Sequence, residues 1–171
     1  MTVSYYDRQI TNNCFQGLKL FEPDCYNDFR GYYWTIFNSK ATSLPNFNHD
    51  KATVSRKNVL RGIHGDFNTT KLISCLYGEV YCVAVDKREE SSTYNSWAWS
   101  MLSHTNRKSV LFPPGVGLGY MVMSDEATVL YKLAYQGEYQ DAKDQFTFKW
   151  SDPELSIFWP NRDPILQQRD L

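Results

Sequence analysis

Short runs of hydrophobic and aromatic residues alternate with turn residues along most of the chain. Such runs occupy residues 30–37, 71–77, 79–85, 109–112, 120–123 and 127–133. This spacing is typical of antiparallel β-structure. Tyr77-Gly78-Glu79 predicts a tight turn, and Pro113-Pro114-Gly115 predicts a sharp corner before the next strand. The one helical segment that the pattern predicts is brief, near residues 38–44, and the proline-interrupted chain from Asp152 onward is expected to wrap the surface.

Evenly spaced short strands without long helices predict an all-β fold, a jelly-roll (cupin) barrel with short peripheral helices. The chain has 171 residues and no evident linker, repeat or low-complexity tract. We therefore expect one domain that spans residues 1–171. The mouth of such a barrel is a natural pocket for a small molecule.

Charge and composition narrow the class of partner. The formal net charge is -1, which gives no indication of a nucleic-acid surface, and aromatic residues make up 16% of the chain. The four cysteines show no CxxC spacing, and the amino terminus lacks a basic region followed by an apolar run. No stretch approaches the roughly 20 apolar residues that span a bilayer. We expect a soluble, cytoplasmic protein with reduced thiols, a small-molecule ligand and no membrane contact.

The segment from Val59 to Asp66 carries the clearest chemical signal. An apolar strand pattern ends there with Arg61 and His64, separated by Gly62 and Ile63. An imidazole beside a guanidinium suits acid–base work on an anionic ligand, and Gly62 removes a side chain that would block the ligand's approach. A lone histidine is nevertheless more often an incidental residue at a half-buried strand end.

Metal and nucleophile chemistry are not indicated by the motifs. The three histidines, His49, His64 and His104, form no HxH or HxxxH pair, so no metal site is expected. The sequence also lacks a GxSxG elbow, a Walker loop and a GxGxxG turn. General acid–base chemistry remains.

The candidates for that chemistry are a base, an acid, a cation and an orienting carboxylate. They are His64, Tyr131, Lys71 and Asp170, in that order. Each of the last three, taken singly, has a more ordinary explanation. Tyr131 lies in an apolar strand, Lys71 stands at a strand start and Asp170 is next to the last residue.

The order of motifs resembles that of the dTDP-4-dehydrorhamnose 3,5-epimerase family of nucleotide-sugar enzymes. The succession is Val59-Leu-Arg-Gly-Ile-His64, Lys71, Gly78-Glu-Val-Tyr-Cys-Val-Ala-Val-Asp86, Pro113-Pro-Gly115, Val129-Leu-Tyr-Lys132, Trp159-Pro160 and Arg169-Asp170. It covers nearly the whole chain, from about Asp28 to Asp170.

A narrower resemblance is to the C3/C5-epimerases that act on GDP-4-keto-6-deoxyheptoses in bacterial capsule or surface polysaccharide synthesis. It depends on four short segments: His64-Gly-Asp-Phe-Asn-Thr-Thr-Lys71, His49-Asp50-Lys51, Tyr135-Gln-Gly-Glu-Tyr139 and Asp144-Gln-Phe.

The resemblance implies roles for the four candidates. His64 stands where the family has its catalytic base, and Asp170 where it has the carboxylate that orients the imidazole. Tyr131 matches the proton donor on the opposite ring face, and Lys71 matches the ammonium that stabilises the enolate oxygen. A C4 ketone acidifies the hydrogens at C3 and C5, so the substrate is its own electron sink and no cofactor is expected.

The resemblance also implies a binding set and a homodimer. Arg61 and Arg30 align with residues that hold the pyrophosphate, and Arg169 matches a basic residue near the same phosphates. His49 and Lys51 lie where the family contacts the base. The Arg30 region is supplied by the neighbouring subunit in such enzymes, so we expect a homodimer.

Four positions depart from the family pattern. Leu118 stands where a histidine is usual, Cys82 where an aspartate is usual, Thr35 where a glutamate is usual, and His49-Asp50-Lys51 replaces a Gln-x-Asn pattern. The catalytic set is intact and the binding set is altered. These changes point away from thymidine and towards GDP.

Two alternative functions remain on the same scaffold. The first is a 3,4-ketoisomerase of a 4-keto nucleotide sugar, which would move the carbonyl on one face and has no need of an acid on the other. The second is a non-catalytic carbohydrate-binding jelly roll, which has no use for an opposed acid and base.

Overall fold

The computed structural model describes residues 8–12, 14–40 and 44–171. Its strands are β1 Lys19–Phe21, β2 Cys25–Asp28, β3 Gly31–Trp34, β4 His49–Arg56, β5 Leu60–Gly65, β6 Thr70–Tyr77, β7 Glu79–Asp86, β8 Trp97–Ser103, β9 Ser109–Phe112, β10 Val116–Val122, β11 Glu126–Ala134 and β12 Phe146–Thr147. Single turns of 3-10 helix occupy Ala142–Asp144 and Gln168–Asp170. The fold is all-β, as the spacing of hydrophobic runs predicts.

Two five-stranded sheets form the jelly roll. One has the order β1-β9-β6-β11-β4, and the other has the order β12-β5-β10-β7-β8. The pairs within both sheets are antiparallel. A separate hairpin consists of β2 and β3. Strands next to each other in a sheet are often far apart in sequence, so residues from distant motifs meet between the sheets.

Period-two alternation in β7 separates two hydrophobic clusters. Val80, Cys82 and Ala84 belong to the cluster between the two sheets. Tyr81, Val83 and Val85 belong to a second cluster, on the outer face of their sheet, with Leu155 and Trp159 from the carboxy-terminal segment. Because both faces of β7 are covered, its sequence is a nearly continuous apolar run.

The carboxy-terminal segment is tied to β5 by backbone hydrogen bonds. The amide of Leu60 donates to the carbonyl of Ile165, and the amide of Ile165 donates to the carbonyl of Asn58. Trp159 also donates its indole N–H to the Trp150 carbonyl. The segment wraps the surface as expected, and it also brings the last turn of the chain back to β5.

A bulge in β5 determines which of its side chains share a face. Against β10, His64 is opposite Leu118 and Arg61 is opposite Tyr120, so three steps along β5 match two steps along β10. Simple alternation would place Arg61 with Ile63 and His64 on the other face. The extra residue instead turns Arg61 and His64 to the same side, while Ile63 is fully buried.

The predicted elements agree with the structure in the centre of the chain and less well at its ends. Strands 71–77, 79–85, 109–112 and 127–133 are confirmed within one residue at either end, and the strand predicted at 120–123 begins earlier. The strand predicted at 30–37 is shorter, Gly31–Trp34, because the pattern ran into the irregular segment that follows. The helix predicted at 38–44 is not formed by 38–40 or by residue 44, and 41–43 lie outside the described residues.

Gly62 is required by the close approach of β10. Its φ is +109°, and a Cβ there would lie 2.5 Å from the Leu118 carbonyl oxygen and 2.7 Å from the Gly119 Cα. The glycine is thus required where the backbone of β10 approaches β5, a reason that the sequence argument did not give.

We predict that Gly62→Ala lowers the free energy of unfolding by at least about 2 kcal/mol, because backbone atoms cannot move aside for the new methyl group. The matched control is Gly137→Ala, since Gly137 has a φ of +71° and no atom within 4 Å of the added Cβ. The control should cost about 1 kcal/mol, the strain of the positive φ alone. Urea denaturation followed by tryptophan fluorescence measures both, and equal losses would contradict the steric explanation.

Candidate active site

A cavity of about 280 Å³ opens between the two sheets, and residues of both sheets and of the segment after β11 line it. Its lining residues are Lys51, Ala52, Thr53, Arg61, Gly62, His64, Lys71, Leu118, Tyr120, Tyr131, Leu133, Tyr139 and Gln145. Three of the four catalytic candidates and two of the five binding candidates from the sequence are among them. The fold therefore brings together, in one cavity, motifs that lie far apart in the sequence.

The imidazole of His64 lies against a buried carboxylate. Its Nε2 is 2.6 Å from Oδ1 of Asp170, and the Asp170 side chain is 1% exposed while that of His64 is 16% exposed. A frayed terminus is the ordinary expectation for Asp170, but the last 3-10 turn packs against β5. A buried carboxylate next to an imidazole fixes the orientation of the ring.

Lys71 reaches the same cavity from β6 and is almost completely buried. Its Nζ is 3.6 Å from Oδ2 of Asp66, and the two side chains are 7% and 0% exposed. Burial lowers the pKa of the Lys71 ammonium, Asp66 opposes this change, and Arg169 and Lys51 lower the pKa further. The site thus contains a desolvated cation whose counter-ion lies beside it.

Tyr131 enters the cavity from β11, in the sheet opposite that of His64. Burial raises the pKa of the Tyr131 phenol well above its ordinary value, and the neighbouring Tyr120 phenol raises it further, while Arg61 and Thr53 act in the other direction. Tyr120 and Thr53 share a hydroxyl hydrogen bond of 2.8 Å. Tyr131 is therefore a neutral phenol throughout the physiological pH range, which is the state that a proton donor needs.

Cations surround the mouth of the cavity. Arg61 donates its Nε–H to Ser55 Oγ at 2.9 Å, which fixes the guanidinium at the rim. The Lys51 ammonium lies 4.0 Å from the centre of the Tyr139 ring, a cation–π contact between β4 and the segment after β11. An anionic ligand such as a pyrophosphate suits this charge pattern.

Three predicted binding residues lie outside the lining of the cavity. Arg30 stands at the turn of the β2–β3 hairpin, where it is 74% exposed and pairs with Asp28. His49 is held by Tyr135, with its Nδ1 3.1 Å from the phenol oxygen. Arg169 donates to Gln145 Oε1 at 3.0 Å, so it contributes to the cavity through a residue that does line it.

Of the positions that depart from the family pattern, Leu118 and Lys51 line the cavity, and Cys82 and Thr35 do not. Leu118 lines the cavity and is opposite His64 in the β5–β10 register. Cys82 is fully buried opposite Tyr120, and burial raises the pKa of its thiol, which keeps it neutral. Thr35 is exposed and lies outside the lining.

The sequence argument missed several lining residues. Thr53, Tyr120 and Gln145 were not singled out, and Tyr139 was named only as the end of a segment of the narrower resemblance. Thr53 carries a weak signal, since it alternates with Lys51 along β4. Gln145 lies in an irregular segment between a 3-10 turn and β12, where no periodicity indicates in which direction a side chain points.

The described residues include neither a metal-ligating cluster nor a membrane-spanning helix. Among residues 8–12, 14–40 and 44–171, no group of three or more histidine, cysteine, aspartate or glutamate side chains is placed to hold a metal ion. No helix within the same described ranges is long and apolar enough to cross a membrane.

Fold and cavity define the class: a jelly-roll (cupin) protein with a cavity between its sheets that ionisable side chains line. A family model, that of dTDP-4-dehydrorhamnose 3,5-epimerase, matches residues 12–171. A curated relative of that name from Shigella flexneri is 34% identical over 163 residues, which cover 89% of this chain and 87% of the relative. The chain therefore belongs to the dTDP-4-dehydrorhamnose 3,5-epimerase family, and its members are epimerases.

Other relatives differ in the carbons named. A dTDP-4-dehydrorhamnose 3-epimerase from Streptomyces niveus is 37% identical over 121 residues, which cover 69% of this chain and 57% of that protein. Among solved structures, the Legionella pneumophila 3,5-epimerase in complex with dTDP-4-keto-L-rhamnose is 34% identical with a TM-score of 0.82 and covers 90% of this chain and 84% of that chain. A 4-keto-6-deoxy sugar epimerase from the novobiocin gene cluster of Streptomyces spheroides has a TM-score of 0.83 at 32% identity and covers 92% and 81%. These likenesses confirm the jelly-roll fold.

Proposed function

We propose that this protein inverts C3, C5 or both of a nucleotide-linked 4-keto-6-deoxy sugar, with residues 1–171 as one catalytic domain and no cofactor. The observation that carries the proposal is the placement of His64 and Tyr131 on opposite sheets of one cavity. A base on one side and a neutral acid on the other are what inversion through an enolate requires. Both the ketoisomerase and the simple binder leave that opposed pair unexplained.

Each step of the reaction has a group in the cavity. Neutral His64 removes the hydrogen on C3 or C5, and Asp170 stabilises the imidazolium that forms. The negative charge moves to the C4 oxygen, where the Lys71 ammonium offsets it in a site that excludes most water. Tyr131 then returns a proton to the far face of the same carbon, which inverts the centre.

For the nucleotide, we propose GDP and, for the sugar, a 4-keto-6-deoxyheptose used in capsule or surface polysaccharide. The support is a pair of contacts between two of the four segments that carry the narrower resemblance: the Lys51 ammonium lies over the Tyr139 ring, and His49 contacts the Tyr135 phenol. The relatives named above are called dTDP-sugar enzymes, so dTDP is the competing nucleotide. Incubation with the GDP-heptose and with dTDP-4-keto-6-deoxyglucose in heavy water tests both, and conversion of the dTDP sugar alone would contradict the GDP assignment.

Removal of the His64 imidazole tests its proposed role as the base. His64→Asn should fold normally and reduce deuterium exchange at C3 and C5 by at least about a hundredfold, the usual scale for removal of a general base. Mass spectrometry and proton NMR of the sugar measure the exchange. His104→Asn is the matched control, because His104 is a partly buried histidine bonded to the Gly78 carbonyl and lies outside the cavity lining. Near-normal exchange in His64→Asn would refute the role.

Tyr131→Phe should separate exchange from inversion. The ring keeps its packing and only the proton donor is lost, so ligand affinity should change by less than about 1 kcal/mol. Net inversion should fall steeply, while exchange at the proton removed by His64 can persist, since enolisation needs only the base.

Tyr77→Phe is the control, because Tyr77 is exposed and lies outside the cavity lining. Inversion at the normal rate in Tyr131→Phe would place the donor elsewhere, and Tyr139 in the cavity is then the next residue to test. A shifted carbonyl in the product would indicate the ketoisomerase, and binding without any exchange would indicate the simple binder.

A homodimer with shared sites is the second part of the proposal. The β2–β3 hairpin carries exposed aromatic side chains, with Phe29 98% exposed and Tyr26 and Tyr33 stacked on its face. An exposed apolar patch of this kind is suited to a protein interface. Arg30 at its tip lies outside the cavity lining of its own chain, so we propose that it binds pyrophosphate in the partner's cavity.

Complementation tests this arrangement. Arg30→Ala and His64→Asn should each be impaired alone, and remixing them after reversible dissociation should restore about a quarter of wild-type activity, because half of the dimers then have one intact site. Light scattering should give twice the chain mass of 20.0 kDa. A monomeric mass in an active sample would exclude the dimer, and absence of complementation would place Arg30 in its own subunit's site.

A further inference from the structure

Asp66 is a completely buried carboxylate for which the mechanism above has no use. It follows β5 directly, and its Oδ1 accepts hydrogen bonds from the backbone amides of Asn68 at 2.9 Å and Thr69 at 2.6 Å. Its Oδ2 has no hydrogen-bond donor within the described parts of the chain and lies 3.6 Å from Lys71 Nζ. The turn therefore holds one oxygen rigidly and aims the other at the cavity lysine.

Lys71 would be difficult to keep charged without this carboxylate. Burial alone disfavours an ammonium, and two further cations lie close enough to disfavour it more, Arg169 from the carboxy-terminal turn and Lys51 from β4. On the neighbouring strands, the residues in register with Lys71 are Phe112 in β9 and Leu133 in β11. The other titratable side chains at the cavity are Arg61, His64, Tyr120, Tyr131 and Tyr139, with Asp170 behind the imidazole.

The Asp170 carboxylate already has a partner. It faces His64 at 2.6 Å, so the negative charge available to Lys71 in the described site is that of Asp66. We infer that Asp66 is a positioning residue that keeps Lys71 an ammonium and directs it towards the developing oxyanion. The inference rests on the proposed function for the identity of that oxyanion, but the ion pair itself does not depend on it.

The separation of the pair suits this role. At 3.6 Å, the ammonium and the carboxylate attract each other without a short hydrogen bond that would hold an N–H away from a ligand. Lys71 thus retains donors for a substrate oxygen. The sequence places an aspartate two residues after the catalytic-base candidate and five before the lysine, so a single loop positions both charged groups.

The experiment replaces the charge and retains the turn. Asp66→Asn keeps an acceptor oxygen for the backbone amides, and Asp66→Ser does so with a smaller side chain, which guards against a variant that fails to fold. Asp86→Asn is the matched control, because Asp86 is also fully buried and also accepts from an amide two residues later, that of Arg88. The protein is labelled with carbon-13 at lysine Cε, and the Lys71 signal is identified by its loss in Lys71→Arg.

In the folded proteins without substrate, removal of the Asp66 charge should lower the Lys71 pKa by at least about one unit, the usual effect of an opposite charge at this distance. Asp86→Asn should leave the Lys71 titration unchanged. An unchanged titration in both Asp66 variants would overturn the inference. Because this readout needs no substrate, it remains valid if the proposed activity fails.

The second readout is the pH profile of deuterium exchange on the sugar. Loss of the Lys71 proton at lower pH should move the alkaline limb of the profile to lower pH, so exchange in Asp66→Asn should fall more at pH 9 than at pH 7. A purely structural role for Asp66 would lower exchange equally at both pH values, and that result would overturn the assignment of a positioning role.

Discussion

The contact between Asp170 and His64 is the interaction on which the arrangement of the site depends. A carboxylate that is 1% exposed is costly unless a partner compensates for its lost hydration, and the imidazole at 2.6 Å is that partner. The end of the chain can reach β5 only because Trp159 packs under the second sheet and Ile165 is hydrogen-bonded to both Asn58 and Leu60. The packing of the carboxy-terminal segment therefore also determines the orientation of the His64 imidazole.

The other charges of the cavity are divided between its lining and the layer behind it. Lys71, Arg61 and Lys51 present positive charge to the interior or the mouth, while the two carboxylates, Asp66 and Asp170, lie behind the groups they serve. Lys71, Asp66 and Asp170 are buried, and charges in such surroundings interact more strongly than in water. For the proposed proton donor, a phenol fits this site better than a second carboxyl group would, because the raised pKa of Tyr131 keeps it protonated and uncharged before the reaction.

Much of the fold could be predicted from the sequence, and each feature that was missed has a specific physical reason. β7 was found because both of its faces are buried, so its apolar run is continuous. β4 was missed because it is an edge strand with mostly exposed residues, and Asp50 and Lys51 interrupt its hydrophobic pattern. The bulge in β5 could not be predicted, since it depends on how β10 pairs with it, and it alone places Arg61 beside His64. The convergence of Lys71, Tyr131 and Asp170 on the imidazole came from the family resemblance, because no local pattern indicates contacts between residues so far apart.

The apolar replacements at Leu118 and Cys82 change what the other groups of the cavity must do. A histidine at position 118 would place another titratable group opposite His64, whereas Leu118 places none. Cys82 is fully buried opposite Tyr120, and burial raises the pKa of its thiol, which keeps it neutral. In the proposed reaction Lys71 stabilises the enolate oxygen, and the inferred role of Asp66, 3.6 Å away, is to keep Lys71 charged. Replacement of the polar groups on one side of the cavity and the presence of a buried ion pair on the other are consistent with each other: the fewer the donors near the reacting oxygen, the more precisely the remaining one must be held.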